Sequence, residues 1–237
     1  MAAAQEKKEL RVAAASDLQP VMPVLAAAYE KATGVKLLIS YGASGTLTEQ
    51  ILNGAPMDIF FGADFTFPEK IVAAGLSDMT APTPYAKGTL VLWARKDSPL
   101  QPITIDSLTD KRATAIAIAN ELHAPYGRAA AAALNKLKIY DQVKPHLVVA
   151  ENIAQAGQYA ESGNAQLGLL SLTLASSPHF KDVGTYVVVP TMTYPAIQQC
   201  AIVLKAGRKD EAHAFLKWML SAEVQEKLHD FGLAPVR

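Results

Sequence analysis

The sequence predicts an α/β protein of two lobes, each a mostly parallel sheet flanked by helices, with a cleft between them. Three observations carry this. Short apolar strands alternate with amphipathic helices from residue 9 to about residue 75. The alternation restarts near Ala115 and ends near Tyr194 and Pro195, after which strand and helix resume. Four short loops without Lys or Arg sit where a strand hands over to a helix, at residues 13–16, 41–46, 123–127 and 151–153. Strands separated by helices form parallel sheets covered on both faces. A second complete block placed inside the first makes the second lobe an insertion.

The elements follow in order. Residues 9–15 are a short buried strand, followed by a helix over about 18–32, where Pro20 and Pro23 are tolerated in or near its first turn. Its apolar positions Val21, Leu25, Ala28 and Ala32 recur at helical spacing, and Gly34 ends it. Residues 35–41 read as a strand and 46–52 as a helix with Leu47 and Ile51 on one face, closed by Gly54. Residues 58–62 are a buried strand, and 68–74 a helix stopped by Gly75. After the proline-bearing turn at Pro82 and Pro84 comes a strand at 89–94, with a loop opening near 105–108.

The second block reads as strand 115–119, alanine-rich helix 127–137, strand 147–150, helix 153–162 and strand 166–170. Strands at 187–190 and 200–204 lead to helices over 209–220 and 223–229. The expected lobes are residues 1–87 plus 196–237, and residues 88–195. Two crossings, near 88–92 and 194–197, would form the hinge.

Bulk composition removes whole classes. Lys+Arg and Asp+Glu balance at 22 each, so there is no basic footprint for nucleic acid. The single cysteine, Cys200, allows no intrachain disulfide and lies in an apolar run expected to be core. No apolar stretch approaches the ~18 residues that span a bilayer. Residues 1–8 lack the apolar run of a secretory leader and read as a start placed on a mature, exported sequence.

A helix start leaves backbone N–H groups without intrahelical partners and carries partial positive charge. Four such starts brought together make a small cavity of donors with no formal cation, a site for an anion. Taken singly, each loop has a plainer reading: Ser16, Ser44 and Asn152 stand where helix N-caps belong. Taken together they occupy the carboxyl ends of strands, two in each lobe, where doubly wound sheets bind ligands. Charge-assisted hydrogen bonds of about 1.5–3 kcal/mol each, five to seven in number, reach about −8 to −12 kcal/mol, micromolar to nanomolar affinity. Donors without acceptors favour a fully ionised dianion. Asp17 is expected to turn its carboxylate away and offer its backbone N–H. Arg128 is expected at the surface or in a salt bridge across the cleft.

Enzyme readings find no support in the sequence. The five histidines form no HExxH and no i, i+4 pair, and no GxSxG, Walker or GxGxxG motif is present.

At Val12-Ala13-Ala14-Ala15-Ser16, at Ala43-Ser44-Gly45-Thr46-Leu47, and at Gly54-Ala55-Pro56-Met57-Asp58-Ile59-Phe60, the chain resembles the periplasmic molybdate-binding proteins of ABC transporters. Pro125-Tyr126-Gly127, Leu167-Gly168-Leu169-Leu170 and Tyr194-Pro195-Ala196-Ile197 extend the resemblance, which covers the chain from about Leu10 onward. It implies the type II periplasmic binding fold. It also implies binding of molybdate or tungstate, with no further cofactor, and a monomer that delivers the anion to a membrane permease from the periplasm. Contacts are implied from the hydroxyls and amides of Ser16 and Ser44 and from the backbone N–H groups of Tyr126 and Ile153, with no protein atom bonded to the metal. Asp17, through its amide, and Ser171 are further candidates. Ser171 stands where some members have a tyrosine, and its hydroxyl is shorter; the Tyr126 hydroxyl is an alternative donor. The rival readings are a site for sulfate, phosphate or a phosphonate, or a ligand-sensing effector domain of the same fold. The latter requires a DNA-binding helix pair at a terminus, and residues 1–9 are too short for one.

Overall fold

Two five-stranded sheets of matching topology form the body of the molecule. The computed structural model describes residues 9–236; the reading of residues 1–8 as a start on mature sequence lies outside them. In the first block β1 (Glu9–Ala15), α1 (Met22–Thr33), β2 (Lys36–Gly42), α2 (Ser44–Leu52), β3 (Ile59–Gly62), α3 (Thr66–Ala73) and β4 (Thr83–Gly88) succeed one another. The chain then runs through β5 (Leu90–Arg95), β6 (Ile116–Ala119), α4 (Pro125–Lys136), α5 (Tyr140–Val143) and β7 (Leu147–Ala150). After these come α6 (Ile153–Glu161), β8 (Leu167–Ser171), α7 (Leu172–Ala175), α8 (Pro178–Val183) and β9 (Gly184–Val188). The chain closes with β10 (Ile197–Val203), α9 (Lys209–Met219) and α10 (Ala222–Lys227).

One sheet has the order β2-β1-β3-β10-β4, the other β7-β6-β8-β5-β9. In each, one strand opposes the rest: β10 runs antiparallel to β3 and β4, and β5 antiparallel to β8 and β9. Both are the strands by which the chain enters a sheet from the other lobe. A chain that leaves β4 or β9 at the cleft must start its next strand at the cleft and run away from it. The parallel strands therefore all present their carboxyl ends to the cleft.

Alternation along the strands divides the first lobe's core. Leu10, Val12, Ala14 and Phe61 pack on one face with Tyr29 of α1 and Phe215 of α9, while Ala13, Phe60 and Ile202 pack on the other with Leu47, Ile51 and Phe67. Burial of these faces at roughly 25 cal/mol per Å² is the main term holding each layer. Cys200 is buried in β10.

The structure departs from the sequence reading in several places. β9 and β10 each begin three residues earlier than read, and the reading lacks α5, α7 and α8. Four further differences bear on packing and the site. Leu18 belongs to a short 3₁₀ turn, Ser16–Leu18, and α1 begins only at Met22 with Pro23 in its first turn. Its buried stripe is Met22, Leu25 and Tyr29, and Ala28 and Ala32 are exposed. The prolines delay the helix, which shifts its inward face. Residues 83–88 form β4 despite Pro84, because β4 is an edge strand where a missing N–H costs little. Ser44 lies inside α2 rather than before it, and Ala43 is the N-cap.

Candidate functional site

The four loops converge. A small cavity, about 190 Å³ of atom-free space, is lined by Ala15, Ser16, Asp17, Gly42, Ala43, Ser44, Ala63, Ala124, Pro125, Tyr126 and Ile153. Among the sequence candidates Ser16, Asp17, Ser44, Tyr126 and Ile153 line it, and Ser171 does not. The 190 Å³ includes space open to solvent; the room left for the centre of a water-sized sphere is about 10 Å³, enough for one small group. No Lys, Arg or His lines it.

The lining is made by strand ends and the turns that follow: β1 with the 3₁₀ turn, β2 with α2, β6 with α4, β7 with α6. The N-caps of the first three are Ala15, Ala43 and Ala124, none with a side-chain cap hydrogen bond. Alanine is among the poor N-caps, costing about 1 kcal/mol against Ser, Thr, Asp or Asn. Three poor caps around one cavity leave first-turn N–H groups facing it. The fourth start is capped by Asn152, whose Oδ1 accepts from the Gln155 N–H at 3.1 Å, which leaves the N–H of Ile153 outside the cap.

The Ser44 hydroxyl is set up as a donor. Ser44 is 1% exposed, and its Oγ accepts the Ala63 N–H at 3.0 Å, so its own proton is free to donate. The plainer reading of Ser16 and Ser44 as helix caps does not hold, since alanines occupy both cap positions. Ser171 is fully buried elsewhere: its Oγ accepts from the Thr173 hydroxyl at 2.8 Å and caps α7 through the Leu174 N–H at 3.4 Å.

Asp17 turns its carboxylate away from the cavity, towards Gln199. Oδ2 accepts from Gln199 Nε2 at 2.5 Å, and Oδ1 is buried without a partner. Burial pushes this carboxyl up to about 7, against the lowering effect of the bonds from Gln199, its own backbone and Tyr126. The Tyr126 hydroxyl accepts from Gln199 Nε2 at 3.2 Å, so that hydroxyl is engaged with Gln199.

The lobes touch in this closed arrangement. The Gly45 N–H donates to the His123 carbonyl at 2.8 Å, and a Cβ at Gly45 would sit 2.9 Å from His123 Cα. Arg128 of α4 forms an ion pair with Asp64 of the first lobe and lies 4.9 Å above the Phe67 ring. Arg128 thus bridges the cleft and stands outside the cavity lining.

Two contributors escaped the sequence reading. Ala63, after β3, lines the cavity and anchors Ser44. Gln199 lies in a strand whose pairing with distant loops leaves no local signal. The strongest signal that was present was the alanine before three of the four helix starts.

The bacterial extracellular solute-binding protein family matches residues 10–234. The molybdate-binding protein ModA of Azotobacter vinelandii is 34% identical over 98% of this chain and 92% of its own. The chain belongs to the bacterial extracellular solute-binding proteins, among the molybdate-binding members. The ModA of Rhodobacter capsulatus is 32% identical over 94% of this chain and 87% of its own. The solved periplasmic molybdate-binding protein of Azotobacter vinelandii superposes with a TM-score of 0.90 at 31% identity, covering 96% of this chain and all of that one. A more distant relative, 25% identical over 99% of this chain and 90% of its own, is an aconitate isomerase from a Pseudomonas species. For this solute-binding protein the match fixes the two-lobed α/β fold, and the cavity lies where its strand ends meet.

Proposed function

We propose that this protein binds molybdate, and tungstate equally well, and delivers the anion to the membrane permease of an ABC transporter. The observation that carries this is the set of alanine-capped helix starts around one closed cavity. An anion completes the caps that the sequence withholds, and the hydroxyls of Ser16 and Ser44 with the N–H groups of Tyr126 and Ile153 supply the donors. The relatives named above support molybdate as the anion.

The reading is of binding without turnover. The one carboxyl in the lining is Asp17, held against Gln199, and a cavity this small suits a tetrahedral oxyanion better than a tricarboxylate. The protein works outside the cytoplasm as a monomer; among the described residues no helix is long and apolar enough to cross a membrane. Molybdate and sulfate share charge and shape, so size separates them. A smaller anion leaves some desolvated donors unmade at roughly 1–3 kcal/mol each. Calorimetric titration with molybdate, tungstate, sulfate and phosphate tests this. Nanomolar to micromolar binding of the first two, at least a hundredfold tighter than the others, is expected; equal or tighter sulfate binding overturns the assignment.

A further inference from the structure

Beneath the cavity lies a buried polar cluster that touches no ligand. Gln199 is on β10, just after the chain crosses back into the first sheet, where the pairing with β4 slips between Gln199 and Cys200. Such a slip re-aims a side chain. Gln199 is fully buried, and its amide is fully used: Nε2 donates to Asp17 Oδ2 at 2.5 Å and to Tyr126 Oη at 3.2 Å, and Oε1 accepts the Tyr85 hydroxyl at 2.7 Å. When Asp17 is ionised its carboxylate only accepts, and the amide then has a single orientation.

These partners come from both lobes. Asp17 follows β1 and Tyr85 lies on β4, both in the first sheet, while Tyr126 opens α4 in the second lobe. Asp17 and Tyr126 line the cavity directly above. The tyrosine reaches its partner through a close-fitting socket: a Cβ at Gly88 would stand 2.2 Å from Tyr126 Oη. This amide, alongside the bond that Tyr126 makes to Asp17 directly, ties the first cavity loop to the third across the cleft, without lining the cavity itself.

We propose that Gln199 is a positioning residue for anion binding: it locks two cavity loops, one from each lobe, into the closed arrangement and so sets how long the anion is held. The inference rests on the oxyanion reading above. Gln199→Met keeps the length and removes the bonds, and Tyr126→Phe removes one of the same bonds from the other side. Molybdate association and dissociation are followed by stopped flow in the wild type, both variants and the double variant. Exchange of the Gly45 amide, whose acceptor is on the other lobe, is followed without ligand.

The expected result is dissociation tenfold or more faster in Gln199→Met, with association within about threefold. The double variant should dissociate within about threefold of the faster single one, because both remove a shared bond. The Gly45 amide should exchange faster in Gln199→Met while that of Phe60, deep in the sheet, keeps its protection. Wild-type dissociation in a folded Gln199→Met, or multiplied effects in the double variant, overturns the proposal. If Gln199→Met fails to fold, Tyr126→Phe decides by the same two readouts. A wild type that binds no oxyanion overturns the molybdate reading alone; unchanged Gly45 exchange in Gln199→Met then overturns the positioning role.

Discussion

Ser44 shows how one hydroxyl serves two purposes. It accepts the Ala63 N–H and keeps its proton for the cavity. Ser44→Ala should therefore weaken molybdate binding by about 1.5–3 kcal/mol, roughly ten- to more than a hundredfold by titration. It should also cost about 1–3 kcal/mol of ligand-free stability, since a buried N–H loses its acceptor. Ser171→Ala should lose only a cap, about 0.5–2 kcal/mol in unfolding, with affinity unchanged. Asp17 makes a pH prediction. Its carboxyl titrates near 3.8 when unfolded and at about 7 when folded, so the native state holds the proton more tightly. Its contribution is fully present below about pH 4 and is lost as pH rises to about 7, on the order of 4 kcal/mol. Thermal unfolding from pH 4.5 to 8.5 should show Asp17→Asn gaining on the wild type as pH rises; parallel curves would contradict it.

At the scale of elements, the most family-specific motif turns out to support the sheet. Asp58, at the entry to β3, accepts the backbone N–H of Arg11 at 2.6 Å and that of Arg208 at 3.1 Å, and pairs with the Arg11 side chain at 2.9 Å. Burial alone would raise this carboxyl, but those bonds hold it below its usual range. Asp58→Ala should lower the urea midpoint by an amount equal to about 1.5–3 kcal/mol and leave molybdate affinity within threefold of wild type. Asp58, in a run that carries the family resemblance, is here a clasp joining β1, β3 and the start of α9. Strands and glycine stops were legible because burial and φ > 0 are local demands, as at Gly34 with φ 73°. The late start of α1 and the strand through Pro84 were not, because each depends on the neighbour an edge or a turn meets in space. Ser16, Ser44, Tyr126 and Ile153 could be found from loops alone; Gln199 could not, since its partners lie 73 to 182 positions away.

For the whole molecule, the two reversed strands β5 and β10 imply two crossings, so we propose lobes of residues 1–87 plus 196–237, and 88–195, hinged near 88–92 and 194–197. On this reading two of the four proposed donors, Ser16 and Ser44, come from one side and two, Tyr126 and Ile153, from the other, so closure would couple to binding. Small-angle scattering should show a smaller radius of gyration with molybdate than without; an unchanged radius in a protein that binds would mean a preformed closed site. The central claim is that uncapped helix starts and two hydroxyls, with no cation, hold the anion. An anomalous difference map at the molybdenum edge, from crystals of the complex, tests it most directly. The account predicts one strong peak inside the cavity, with oxygens within about 3 Å of Ser16 Oγ, Ser44 Oγ, Tyr126 N and Ile153 N. A peak beside Arg128, or anywhere outside the four loops, would contradict it.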